Sequence, residues 1–292
     1  MVKAAGFSWW CGLAVWMWLA LLAAGCNLVP FAPFGQEKIP RDSGPLATPS
    51  KHSLRVSQFV FLSDFEVQRN LPIFNELSNM REQVFKELQL PPSHAIVQVY
   101  LFEDKERYER FMKLKYPDLP KRRAFFVAQP RRLGGQEDLL VYTYWGDKVQ
   151  QDLRHELTHA LLHSVLKDVP LWLDEGLAEY FEMPPAWNGI NYQHLEHLRR
   201  GPGGPAKLDL ARLEQLSDVQ QMNPPEYREA WAWAHLLLRT TPAAKQVLVQ
   251  YLQELRSNHR PGPLRPRLAG VVPDLEGTLE RHLGQIDLAA GK

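Results

Sequence analysis

The sequence predicts an α+β protein, with an amino-terminal α/β lobe carrying a small sheet and a mostly helical lobe after it. Three observations point to this. Short runs rich in Val, Phe and Tyr, some with two-residue alternation, fall before residue 146. Apolar residues at three- and four-residue spacing dominate after it. Where the two regimes meet, a long helical stripe carries histidines on its polar side.

Taken in order, residues 54–63 (Leu-Arg-Val-Ser-Gln-Phe-Val-Phe-Leu-Ser) are β-like. Residues 65–90 carry a helical period through Leu71, Phe74, Leu77, Val84, Phe85 and Leu88. Residues 95–102 alternate, with Ile96, Gln98 and Tyr100 set against Val97, Val99 and Leu101. Residues 104–116 read as a helix capped by Asp104 and stopped by Pro117. Residues 124–128 and 138–144 read as two strands joined by a turn containing Gly134-Gly135. The strand 138–144 is expected nearest the helix that follows and at the edge of the sheet. That helix, about 147–166, has the apolar stripe Val149, Leu153, Leu157, Leu161 and Val165, which leaves His155 and His159 on roughly the opposite side, facing a cleft. Beyond residue 182 the chain is helical with Pro/Gly breaks. A loop is expected at 199–205 and a short helix at 208–216. Longer apolar helices are expected at 227–239 and 243–255, with a closing helix at 268–283.

The segment His155-Glu156-Leu157-Thr158-His159 carries the chemistry. Two histidines four apart on a helix project from one face, about 6 Å apart along the axis, a spacing that lets two imidazoles grip one tetrahedral Zn²⁺. Glu156 lies next to the metal but is offset around the helix, so it can take a proton from zinc-bound water. A catalytic zinc needs three protein ligands and one open position. Glu175, one helical hairpin downstream in Trp172-Leu173-Asp174-Glu175-Gly176-Leu177-Ala178-Glu179-Tyr180, is the candidate third ligand. The link ends in Pro170, which suits the start of a new helix. Glu179 shares the face of Glu175 and is placed to accept the other N–H of a ligating histidine, fixing its tautomer. His163 continues the histidine stripe, but three ligands on one helix would spread over about 12 Å of axis. It reads as a partly exposed or hydrogen-bonded histidine.

HELTH followed by WLDEGLAEY resembles the gluzincin branch of the zincin metallopeptidases. The resemblance implies a zincin-like fold with zinc in the cleft between the two lobes. It implies His155, His159 and Glu175 as ligands and Glu156 as general base, and a sheet edge that pairs with an extended peptide substrate. The likeness is tightest over residues 147–182. More loosely, residues 55 to about 239 resemble little-characterised gluzincin-like bacterial lipoproteins. The metzincin pattern fails, with Leu162 and Val165 where its glycine and last histidine would stand. The G-x-M-E-N motif of the large gluzincin aminopeptidases is also missing. Tyr227-Arg228-Glu229-Ala230-Trp231 is similar to the gluzincin helix whose tyrosine holds the oxyanion, a role that suits a hydroxyl donor. A tyrosine at a helix start can equally be a packing residue, and both readings stay open.

The amino terminus has a different character. Lys3 precedes an apolar run over residues 7–24 that ends in Leu22-Ala23-Ala24-Gly25-Cys26. This is a secretory signal, and it resembles a bacterial lipobox, which implies cleavage before Cys26 and lipidation of its sulfur. An uncleaved signal anchor is the alternative. Either way the rest of the chain is expected outside the cytoplasm, in the cell envelope, tethered to a membrane. Residues 26–53, with Pro30, Pro33, Pro40, Pro45 and Pro49, read as a tether. An ordered, docked arm through Val29, Phe31 and Phe34 is the other reading. Cys11 and Cys26 are the only two cysteines, and Cys11 lies in the signal, so no internal disulfide is expected in the mature chain. The remainder, residues 54–292, splits at 146/147 into the α/β and helical lobes. Over the full 292-residue chain, 34 basic and 33 acidic residues nearly cancel and no basic run stands out, so nucleic acid is not an expected partner. Arg122-Arg123 and Arg131-Arg132 read as solvated surface. The function expected is a zinc-dependent peptidase acting on peptide or protein substrates. The alternatives are a zinc hydrolase of other amides and a non-catalytic zinc-containing envelope lipoprotein that acts as a scaffold or binding module. The intact Glu156 argues against the last, because a structural site has no use for a general base.

Overall fold

The computed structural model describes residues 47–130, 137–200, 208–257 and 261–287. The signal, Cys26, most of the proline-rich tether, the Gly134-Gly135 turn and Arg131-Arg132 lie outside the described residues, as does most of the loop expected at 199–205.

The chain is α+β, a mixed five-stranded sheet followed by a largely helical part. Strands β1 (His52–Val56) and β2 (Phe59–Ser63) form an antiparallel hairpin. The run 54–63 therefore holds a turn as well as strand. Ser57 makes that turn at φ 55°, a left-handed conformation for a residue other than glycine. The strand begins before residue 54 and Ala47 is already buried, so the folded part reaches back into the expected tether.

Helix α1 (Pro72–Glu87) starts later than its apolar period, because Pro72 occupies the first turn, where its missing N–H costs nothing. It leads to β3 (Val97–Phe102), which pairs parallel to β2. Helix α2 (Lys105–Lys115) begins at Asp104, whose side chain accepts the Arg107 N–H at 2.8 Å. Strands β4 (Ala124–Gln129) and β5 (Asp138–Tyr144) pair antiparallel, and β5 also pairs parallel to β3.

The sheet order is β1-β2-β3-β5-β4. The strand 138–144 is thus interior, and β4 is the edge strand on that side, with β1 at the other edge. The cause is burial on both faces of β5. Leu139 and Val141 join the main core with α1 and the helix that follows, while Leu140 and Tyr142 pack with α2, Phe102, Phe111 and Phe125. Such continuous burial belongs to a central strand.

Helix α3 (Val149–His163) lies against β4 and β5 with its Leu153, Leu157 and Leu161 stripe in the main core. Helix α4 (Leu171–Phe181) follows Pro170 and packs on α3. Helices α5 (Tyr192–Arg200), α6 (Leu210–Leu213), α7 (Pro224–Arg239) and α8 (Pro242–Arg256) build the second part. The closing helix expected at 268–283 is two pieces, α9 (Arg265–Ala269) and α10 (Leu275–Gln285). Pro273 cannot continue a helix, and Asp274 at φ 48° turns the chain between them.

Helix α4 crosses α7 so closely that a Cβ on Gly176 would collide with the Ala230 carbonyl. This contact sets Glu175, its neighbour in α4, close to Tyr227 near the start of α7. No helix among the described residues is long and apolar enough to cross a membrane.

Candidate metal centre

His155 and His159 leave α3 one turn apart, with ring centroids 5.0 Å from each other. Glu175 enters from α4. Its Oε2 lies 3.4 Å from His155 Nε2 and 3.5 Å from His159 Nε2. Ligand bonds of about 2.0–2.1 Å in a tetrahedron put neighbouring donors about 3.3–3.5 Å apart, so the spacing is that of one small cation's ligands. Glu175 Oε2 is buried without a hydrogen-bond partner. A buried carboxylate oxygen left so is costly, and a cation at the centre of the three groups would satisfy it. The three residues fit a metal ion.

The outer nitrogens of both rings face carboxylates. His155 Nδ1 lies 2.9 Å from Glu182 Oε2, and Gln151 Nε2 donates to the other Glu182 oxygen at 2.8 Å. His159 Nδ1 lies 3.1 Å from Asp174 Oδ1 without full hydrogen-bond alignment. Asp174 Oδ2 is in turn 3.0 Å from His163 Nε2. With protons on the Nδ1 atoms, both Nε2 lone pairs point to the centre. His163 is therefore a hydrogen-bonded histidine that holds Asp174, not a ligand. Phe126 of the edge strand stacks beside His159, the ring centroids 6.2 Å apart.

Electrostatics favour a cation here. Burial opposes charge on the imidazoles, yet Asp174 and Glu175 raise His159 to about 10, and Glu175 and Glu182 raise His155. Burial likewise works against ionised Asp174 and Glu175, but the imidazoles hold both well below the usual carboxylate range. Glu156 behaves differently. It is buried, and burial with the charge of Glu175 raises its proton affinity against the pull of His155, His159 and Arg122.

Arg154, 1 % exposed, ties α3 to α4. Its guanidinium donates to the carbonyls of Phe181 at 2.7 Å, Glu182 at 3.0 Å and Met183 at 2.7 Å, occupying acceptors that the end of α4 leaves open. These bonds fix the backbone that carries Glu182 under His155.

The other expected site residues are distributed as follows. Glu179 lies close to His155 and Glu182, but its Oε2 is 2.9 Å from His194 Nε2. The role expected of it, taking the outer N–H of a ligating histidine, falls to Glu182 and Asp174. Tyr227 is at the centre's rim, where its hydroxyl accepts a hydrogen bond from Arg122 Nη2. Arg122 Nη1 lies 4.0 Å from Glu175 Oε1, and Arg123 grips Asp152 through two nitrogens, Nη2 at 2.6 Å and Nε at 2.9 Å. Arg123 is an exposed surface residue, as expected, though paired, whereas Arg122 is partly buried and turned toward the centre. Glu182 was within reach of the sequence, since 175, 179 and 182 form one helical stripe. Arg122 comes from the segment entering β4, and no local signal marks it.

The fold and these side chains define an α+β protein with a buried His/His/Glu group able to hold a metal ion whose identity is open. Residues 151–262 match a family described as a protein of unknown function (DUF1570), a stretch of less than half the chain that includes nearly all of α3, α4 and Tyr227 but not Arg122. A comparison with curated proteins finds no match.

Proposed function

We propose that the protein is a zinc-dependent peptidase of gluzincin type, held at the membrane of the cell envelope by lipid on Cys26. One observation supports the reading: a buried carboxylate, Glu156, stands beside a His155/His159/Glu175 group whose outer nitrogens face carboxylates, where a general base would be needed. A purely structural ion needs no such base. When bound, zinc polarises the scissile carbonyl and makes the attacking water more acidic. Glu156 takes the proton from that water and returns one to the leaving amine, a task suited to a carboxylate whose proton affinity burial has raised. Glu182 and Asp174 keep the imidazoles in the ligating tautomer, and Tyr227 offers its hydroxyl proton to the carbonyl oxygen. Strand β4, hydrogen-bonded only to β5, leaves an edge beside α3 on which an extended peptide can add as a further strand.

The test is digestion of a peptide library by the zinc-loaded chain beside Glu156→Gln. The wild type cleaves, and the variant keeps its zinc but loses turnover by at least about 10²-fold. Absence of cleavage by the wild type, or equal cleavage by both, contradicts the proposal.

A further inference from the structure

Arg122 reaches from the sheet part of the molecule to α7, spanning the rim of the metal centre. Its carbonyl accepts the Tyr108 hydroxyl at 3.0 Å, which anchors the backbone. Its guanidinium donates to Tyr227 Oη, lies 4.0 Å from Glu175 Oε1 and stacks over the Tyr227 ring at 5.2 Å. Glu156 and Glu175 both act on it electrostatically.

Two consequences follow. A guanidinium has only donors, so the Arg122–Tyr227 bond has one direction. Tyr227 Oη accepts, and its own proton stays free for another acceptor. The second concerns charge. Glu175 and Glu156 would offset a divalent ion from one side and Glu182 and Asp174 lie behind the imidazoles, so Arg122 is the cationic side chain at the Tyr227 rim. A rim with two donors, one of them cationic, suits an oxygen that becomes anionic.

We propose that Arg122 and Tyr227 act as one two-donor unit that binds the oxyanion of the substrate's tetrahedral state, making Arg122 a catalytic residue alongside Tyr227. This deepens the peptidase reading and rests on it for its natural ligand. The unit itself can be tested without turnover, using inorganic phosphate as a tetrahedral oxyanion.

The experiment is calorimetric titration of phosphate into the zinc-loaded full-length chain and into Arg122→Gln, Arg122→Lys, Tyr227→Phe and the Arg122→Gln/Tyr227→Phe double variant, with zinc content measured in each. All are expected to keep zinc. Arg122→Gln weakens phosphate by about 10- to 100-fold, the worth of one charge-assisted hydrogen bond. Arg122→Lys recovers part of the loss, and the double variant loses less than the product of the single effects. On any peptide the wild type cleaves, Arg122→Gln lowers kcat by about 10²–10³ with KM little changed. The proposal is overturned if zinc-loaded wild type does not bind phosphate or if Arg122→Gln and Arg122→Lys bind it as tightly as wild type. Zinc loss in the Arg122 variants that accounts for the weakening also overturns it, since Arg122 would then serve only to orient Glu175. If phosphate behaves as expected and no peptide is cleaved, the peptidase reading fails while the donor unit stands. If peptides are cleaved equally by wild type and Arg122→Gln, the donor unit fails while the peptidase reading stands.

Discussion

Two pairs of histidines, each with one ring buried and one partly buried, sit in this molecule, and their surroundings give them opposite chemistry. His155 and His159 are ringed by Glu175, Glu182 and Asp174, which raise both imidazoles despite burial. His235 of α7 and His282 of α10 lie 2.8 Å apart, Nδ1 to Nε2. Burial, then His282, then Arg239 lower His235 to about 3, and the rings of Trp231 and Tyr180 pack around it. Histidines close together are therefore not a site by themselves. Carboxylates behind the rings suit the first pair to a cation, and apolar packing with burial keeps the second neutral.

The sharpest way to break this comparison is to remove metal. A chelator should lower the melting temperature of the wild type, because an ion that binds only the folded state stabilises it by about 4 kcal/mol at 1,000 times its dissociation constant. His235→Phe should leave metal content unchanged and respond to the chelator as the wild type does. Equal melting curves with and without chelator, in protein shown to carry metal beforehand, would erase the contrast.

A finer probe is the carboxylates. Glu182→Gln and Asp174→Asn should each weaken metal binding by about 10- to 100-fold, because the amides keep the shape and lose the charge that orients the imidazole. Competition with a chromophoric chelator reads the affinity. An unchanged constant in both variants would mean that the carboxylates behind the rings do not tune the centre.

The smallest change, read over a single pH unit, is the acid sensitivity of the second pair. His235 resists protonation when folded, so in acid the unfolded chain binds the extra proton. Its contribution to stability is complete above the unfolded value of about 6.5 and is lost as pH falls from there towards about 3. The slope from this one group is at most about 1.4 kcal/mol per pH unit. Denaturant unfolding of His235→Phe across that window should show a flatter acid limb than wild type. Parallel limbs would show that His235 charges freely in the folded protein.

The same contrast explains what the sequence could show. His155, His159 and Glu175 were legible because helical spacing fixes which side chains share a face, and α3 and α4 are joined by a short link. Asp104 as a cap and Pro170 as a helix start were legible for similar local reasons. The edge strand was not. Strands β4 and β5 are neighbours in both sequence and space, but which is outermost depends on the pairing of β5 with β3, a non-local choice. The turn at Ser57 carries neither glycine nor proline, so two strands read as one. Arg122 read as surface because its partners, Glu175 and Tyr227, come from helices far along the chain.

Under the proposed function, His155, His159 and Glu175 together hold one zinc ion. Metal analysis of the purified full-length chain and of Glu175→Ala tests it most directly. One equivalent of zinc in the wild type and far less in Glu175→Ala is the predicted result. A wild type that retains no zinc when purified in its presence, or a Glu175→Ala variant with a full equivalent, would contradict it.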